Sequence, residues 1–340
     1  MKVLIYEQNA NMQKRSGIGR ALRHQKRALE ANGIETTFDK RDAYDLVHIN
    51  SSFKKSYKFM RQLQKKKIPV VVHGHSTYED FRDSFRAWKL IEPWFDNNLT
   101  RLYGGADYII TPTNYSKKLI ENYDCTKCPV EAISNGIMIE DYAYDQEKIN
   151  KYRKHFSIKE GEKVVIGIGL LFKRKGLHDF MEIAKSFPDI KFIWFGSLQK
   201  ILCTPFINKT IRNKPSNVIM PGYIDGDVIK GALQGADLFL FPSYEETEGI
   251  VVLESLASKT PIIVRDIPVY EDWLHDGVDC YKAKDNQGFI EKIKYILSND
   301  NSKVIENGYQ IALERDTKII GKQLINAYEK VIEITKNKNK

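Results

Sequence analysis

Short apolar runs alternating with stretches of helical spacing constrain this chain more than any other feature. Such alternation builds parallel sheets from strand–helix–strand units. In the first half the runs read as strands at Lys2–Tyr6, Asp45–Ile49, Val70–His73, Tyr108–Thr111 and Val130–Ser134. In the second half they fall at Lys163–Gly169, Lys191–Gly196, Asn217–Met220, Leu238–Pro242 and Pro261–Val264. KVVIGIG and KFIWFG are apolar on both faces, as strands covered by helices on each side must be.

A chain of 340 residues is long for one hydrophobic core and comfortable for two. The charged stretch Tyr142–Glu160 carries no strand signal and reads as a hinge region. The expected class is therefore α/β, with two Rossmann-like parallel-sheet domains at 1–150 and 151–318 facing each other across a cleft. A last helix, about Ile319–Thr335, has Ile320, Leu324, Ala327 and Val331 at helical spacing. It is expected to cross back, and with the basic KNKNK tail it makes up 319–340. Ligands of such folds sit at the strand C-termini.

The 53 Lys and Arg against 44 Asp and Glu leave a formal charge of +9, which calls for an anionic partner. The N-terminal run is cut by Glu7, too soon for a signal peptide, and no apolar run approaches the roughly 20 residues of a membrane span. A cytoplasmic protein is expected. Cys125 and Cys128 form a lone C-x-x-C with no second pair nearby, and read as two loop thiols. Charge alone also fits a non-catalytic nucleic-acid binder, but no recognition motif supports one. A nicotinamide enzyme lacks its G-x-G-x-x-G at the first strand–helix turn.

The densest chemistry is PSYEETEGIVVLESLA, residues 242–257. It leaves the strand LFLF and passes through Gly249 into a helical pattern. Backbone N–H groups at Gly249, Ile250 and Val251 then open a helix, where unpaired amides and the helix dipole suit a diphosphate. Glu254 can accept both hydroxyls of a ribose, and Glu246 can bond hydroxyls of a sugar. GLLFKRKG, residues 169–176, sets Arg174 and Lys175 where a strand–helix loop carries cations over a diphosphate. Asp225 and Asp227, in D-G-D, read as an N-cap and not as a metal site.

These elements resemble the family-4 glycosyltransferases of the GT-B fold. That family's signature is a pair of glutamates separated by seven residues after a Pro-Ser strand end. The resemblance implies ribose binding by Glu254, a catalytic sugar contact by Glu246, diphosphate binding by Arg174 and Lys175, and nucleobase reading near Tyr223 in MPGYI. The family's usual aromatic-Gly is Glu248-Gly249 here, an acid that either alters sugar selectivity or points to solvent. Its further arginine is replaced by Leu170, for which Arg174 compensates. In SGIGR, residues 16–20, Gly17 and Gly19 are implied on the acceptor side. His73, at the end of VVVH, is implied as a second catalytic contact to the donor sugar. Asn50 and His75 occupy neighbouring strand-end positions.

From Leu46 to Tyr78 there is no acidic residue, while Lys54, Lys55, Lys58, Arg61 and Lys65 recur beside Phe53, Tyr57, Met60 and Leu63 on one helical side. A basic helix with an apolar stripe suits an anionic leaflet, and Trp88 and Trp94 in the next stretch add surface for acyl chains. The other reading is a solvated helix packed on the sheet by that same stripe. Strings such as SGIGRA, HGHSTYEDFRDSF and TPTNYSKKLIE resemble the diacylglycerol-glycolipid branch of the family in Gram-positive bacteria, which adds a second hexose, commonly galactose, to monoglucosyl-diacylglycerol. This implies a peripheral enzyme of the cytoplasmic membrane face, moving galactose or glucose from a UDP-sugar to a glycolipid with retention. No cofactor and no obligatory metal are expected. A soluble family-4 enzyme of capsule or wall polysaccharide is the alternative.

Overall fold

In the computed structural model, which describes residues 1–8 and 17–338, the apolar runs assemble two parallel six-stranded sheets. The chain divides into two units. The first comprises Met1–Arg82, Lys89–Ile137 and Arg315–Lys340, and the second Asp83–Trp88 and Met138–Glu314.

The first sheet holds β1 (Lys2–Tyr6), β2 (Glu35–Thr37), β3 (Leu46–Ile49), β4 (Val70–His73), β5 (Ile109–Thr111) and β6 (Val130–Ala132), in the order β2-β1-β3-β4-β5-β6. Successive strand side chains point to opposite faces. Val3 and Ile5 thus pack with Leu22, Leu324 and Tyr328, while Leu4 packs with Met60, Leu63 and Leu99. Each such side chain taken from water stabilises the fold by about 1.5–3 kcal/mol. Strand order reverses between β1 and β3, which sets the switch point of this sheet at the C-terminal ends of these two strands. Asn50 ends β3, and the helix Gly17–Glu30 follows β1.

The second sheet holds β7 (Val164–Ile168), β8 (Lys191–Phe195), β9 (Val218–Gly222), β10 (Leu238–Phe241), β11 (Ile262–Arg265) and β12 (Tyr281–Ala283), in the order β12-β11-β10-β7-β8-β9. Here the reversal falls between β7 and β10. Residues 169–176 and 242–249, singled out by their chemistry, are the loops that leave those two strands.

Three details differ from the sequence expectation. The edge strands β2 and β12 carry only ETT and YKA, too short and too polar to read as apolar runs. The expected hinge contains a helix, Gln146–His155, capped by Asp145 on the N–H groups of Glu147 and Lys148 at 3.0 and 3.2 Å. Its Ile149 and Tyr152 are buried within the second unit, so the units divide at 137/138 and 314/315, not at 150/151 and 318/319. The final helix, Thr317–Asn337, belongs to the first unit and buries Ile320, Leu324, Ala327 and Val331. The last two residues of the basic tail lie outside the described residues.

Candidate active site

Gly176 joins the two loops of the second unit. Its φ is +74°, and a Cβ there would lie 2.3 Å from the Pro242 carbonyl oxygen, so only glycine permits the approach. Around it the loops are hydrogen-bonded together. The Tyr244 N–H donates to the Arg174 carbonyl at 2.7 Å, and Arg174 Nη1 donates to the Glu245 carbonyl at 2.8 Å. Arg174 Nε also donates to Ser84 Oγ at 3.0 Å, within the segment Asp83–Trp88 that belongs to this unit. The Lys175 ammonium pairs with the Glu246 carboxylate, which further accepts from Ser243 Oγ at 2.6 Å. Burial pushes the Glu246 pKa up, but the charges of Lys175 and Arg174, with the Lys175 and Ser243 hydrogen bonds, outweigh it and hold the acid ionised.

Beyond this pair the chain turns at Gly249, in the left-handed region at φ +87°, into the helix Ile250–Ala257. No side chain caps that helix start. Ile250 is buried, Val251 half-buried, and Glu254, one turn in, only 3% exposed. Glu248 is 2% exposed, which overturns the reading that it points to solvent. Tyr223 is half-buried just past β9. The helix Asp227–Gly235 is capped at Gly226, not by an acid, and Asp227 instead pairs with Lys151 at 2.8 Å. Among the described residues, no three His, Cys, Asp or Glu are grouped to hold a metal ion.

In the first unit Asn50, His73 and His75 come together as their strand-end positions imply. His75 Nε2 lies 2.9 Å from Asn50 Oδ1, and the rings of His73 and His75 stack at 3.7 Å. Burial pushes all the imidazoles of this cluster down, His73 to about 3, so they are neutral at ordinary pH. Gly17 and Gly19 open the helix whose Gln25 joins the cluster, while Ser16 lies outside the described residues.

Lys54, Lys55, Lys58, Arg61 and Lys65 are exposed on the helix Lys54–Lys65. Its apolar side is not: Met60 and Leu63 are buried against the sheet, with Tyr57 packed beside them. Met60 and Leu63 thus belong to the core and are closed to lipid, while Phe53 and Tyr57 are half-buried. The exposed apolar groups lie on the helix Trp88–Gly105, where Leu90 is 83% and Trp94 48% exposed, with Ile91 also exposed and Trp88 half-buried. Among the described residues no helix is long and apolar enough to cross a membrane.

Two residues escaped the sequence reading. His48, inside the apolar strand β3, sits 3.1 Å from His73 through its Nε2. Tyr270 holds a buried hydroxyl without a hydrogen-bond partner among the described residues, 2.9 Å from where a Cβ on Gly249 would lie. Burial, then the charge of Glu246, pushes that phenol well up and keeps it a donor. Neither position carries a spacing signal that would have found it.

The family profile described as Glycosyltransferase Family 4 matches residues 15–141, and that described as Glycosyl transferases group 1 matches residues 148–311. The chain is 56% identical over 334 residues to the processive diacylglycerol alpha-glucosyltransferase of Acholeplasma laidlawii, covering 98% of this chain and 99% of that one. It is 35% identical over 129 residues to the alpha-galactosylglucosyldiacylglycerol synthase of Streptococcus pneumoniae, covering 37% of this chain and 34% of the relative. Among solved structures, Anabaena Alr3699/HepE in complex with UDP and glucose shares the fold at a TM-score of 0.77 and 18% identity, over 97% of this chain and 100% of that one. With two parallel-sheet units, a strand-order switch point in each and 56% identity to a diacylglycerol glucosyltransferase over nearly the whole chain, the chain belongs to glycosyltransferase family 4 and has the GT-B fold.

Proposed function

We propose that this glycosyltransferase moves glucose from UDP-glucose onto diacylglycerol and its monoglucoside, with retention, at an anionic membrane surface on the cytoplasmic side. One observation carries the donor half of this reading: Arg174 and Lys175 are tied to the Glu245–Glu246 loop beside a helix start that no side chain caps. Cations and open amides at one sheet crevice suit a diphosphate. Support for the lipid acceptor comes from the 56% identity to a diacylglycerol glucosyltransferase. That identity spans the whole chain, whereas the likeness to a galactose-named synthase spans 37% of it, so glucose is favoured over galactose.

In this mechanism the second unit holds the donor. Glu254 accepts from the ribose, and the amides opening the helix Ile250–Ala257 bind the diphosphate with Arg174 and Lys175. Glu246 orients the sugar. The bond from the sugar C1 to the diphosphate oxygen breaks as the acceptor oxygen bonds C1 on the same face. The acceptor proton passes to that departing diphosphate oxygen. An α-linked donor then gives an α-linked product. The two cations neutralise the charge that grows on the leaving group, and no metal is required.

The exposed lysines at 54, 55 and 58 meet anionic headgroups, and Leu90, Ile91 and Trp94 meet the acyl boundary. The test is transfer of radiolabelled glucose and galactose from their UDP-sugars into phosphatidylglycerol vesicles holding diacylglycerol or its monoglucoside. Product from UDP-glucose on both acceptors, α-linked and unchanged by a chelator, is expected. Product from UDP-galactose alone would reassign the sugar. No lipid product, with UDP still bound, would move the acceptor to a soluble polysaccharide.

A further inference from the structure

Three buried histidines and two buried amides of the first unit form a hydrogen-bonded chain whose direction is set at one end by a backbone carbonyl. Asn50 Nδ2 lies 3.2 Å from the His48 carbonyl oxygen and 3.0 Å from Gln25 Oε1. A carbonyl only accepts, so Asn50 turns its NH2 there and its Oδ1 to His75, whose Nε2 must donate. Gln25 accepts at Oε1 and so points its own NH2 at His48 Nδ1 and at the Tyr328 hydroxyl, 3.3 Å away. His48 Nδ1 therefore accepts, from Gln25 and from the Tyr328 hydroxyl at 2.8 Å.

A neutral imidazole carries one N–H, and His48 keeps it on Nε2. From there it donates to His73 Nδ1 at 3.1 Å. His73 in turn holds its proton on Nε2, and that nitrogen is buried with no hydrogen-bond partner among the described residues. A buried donor left unpaired costs about 1–3 kcal/mol, which a ligand oxygen would relieve.

We propose that His48, aligned by Asn50, Gln25 and Tyr328, is a positioning residue that holds His73 as an Nε2–H donor to a hydroxyl oxygen of the bound carbohydrate. His73 then orients substrate and does not take the acceptor proton. The alignment crosses the chain: Tyr328 comes from the final helix, 280 residues after His48. The nature of the ligand rests on the proposed sugar transfer, but the tautomer does not.

The test is a long-range proton–nitrogen spectrum of the histidine rings in the full chain, with His48 and His73 assigned from His48→Gln and His73→Gln. Protonated Nε2 and bare Nδ1 are expected for both rings, unchanged from about pH 8 to about pH 6. In His48→Phe, His73 loses that preference, and transfer falls about 10- to 100-fold with UDP affinity intact. His48→Gln, whose amide can still donate to His73 Nδ1, restores most of the rate. A proton on Nδ1 of His73 in the wild-type chain would overturn the proposal, and that spectrum decides it even where His48→Phe does not fold. Equal losses in the Phe and Gln variants at equal stability would also overturn it. The expected spectrum in a chain that transfers no sugar would sink the proposed reaction and leave the tautomer standing.

Discussion

The two units prepare for ligands by opposite means. In the second, a half-buried cation faces a buried carboxylate, Lys175 on Glu246, with Arg174 beside them. In the first, His48, His73 and His75 are as deeply buried but uncharged, aligned by amides and a tyrosine. On the proposed function, the difference follows from what each unit binds. A diphosphate carries charge that develops further as it leaves, and fixed cations held in place beforehand stabilise it strongly. Sugar hydroxyls carry none, so an oriented neutral donor serves without the desolvation penalty of an ion.

The largest expected effect strikes the charged side. Lys175→Met leaves Glu246 with only Ser243 and the charge of Arg174 to hold it, and should cost about 1–3 kcal/mol of stability with a roughly 1,000-fold loss of transfer. Urea unfolding and single-turnover kinetics measure the two. Adding Glu246→Gln should return the stability without the activity. A single variant as stable as the wild type would break the contrast.

Acid should strike the neutral side first. The folded pKa values of the three histidines lie below their ordinary value, so below about pH 6.5 the unfolded chain binds protons that the folded chain refuses. Stability should fall progressively as the pH drops from about 6.5 to about 5. Glu246, with its pKa held down, contributes stability that is lost only at lower pH, beneath the ordinary carboxylate range. Melting temperature against pH reads this order, and a flat profile down to about pH 5 would contradict it.

Smaller effects sharpen the account. Gly249→Ala forces a side chain into φ +87° and against the Tyr270 hydroxyl, for about 1–3 kcal/mol. Tyr270→Phe should recover the part due to the clash, as thermal unfolding of the single and double variants would show. Lys55→Gln should weaken flotation with phosphatidylglycerol vesicles by about 1 kcal/mol at low salt and change nothing on neutral vesicles.

What was legible in the sequence was local. Glu246, Gly249 and Glu254 lie in one short segment, and Arg174 and Lys175 in another, each at the end of a recognisable strand. The strand runs themselves were clear because both faces are apolar. His48 was hidden because a single histidine in LVHI reads as a tolerated interruption, and its partners Gln25, His73 and Tyr328 are scattered along the chain. The helix Gln146–His155 was missed because a charged run masks the two residues, Ile149 and Tyr152, that anchor it. The apolar stripe of Lys54–Lys65 had two consistent readings, and only the packing of Met60 and Leu63 on the sheet separates them.

The central claim is that the second unit holds the nucleotide through the helix Ile250–Ala257. The measurement that tests it most directly is calorimetric titration of UDP into the wild-type chain and into Glu254→Ala and Glu254→Gln, with folding checked by thermal unfolding. Loss of both acceptors should weaken UDP binding at least about tenfold in a folded Glu254→Ala chain, while Glu254→Gln, which keeps one acceptor oxygen, should fall between it and the wild type. Unchanged affinity in Glu254→Ala would contradict the assignment of the donor site.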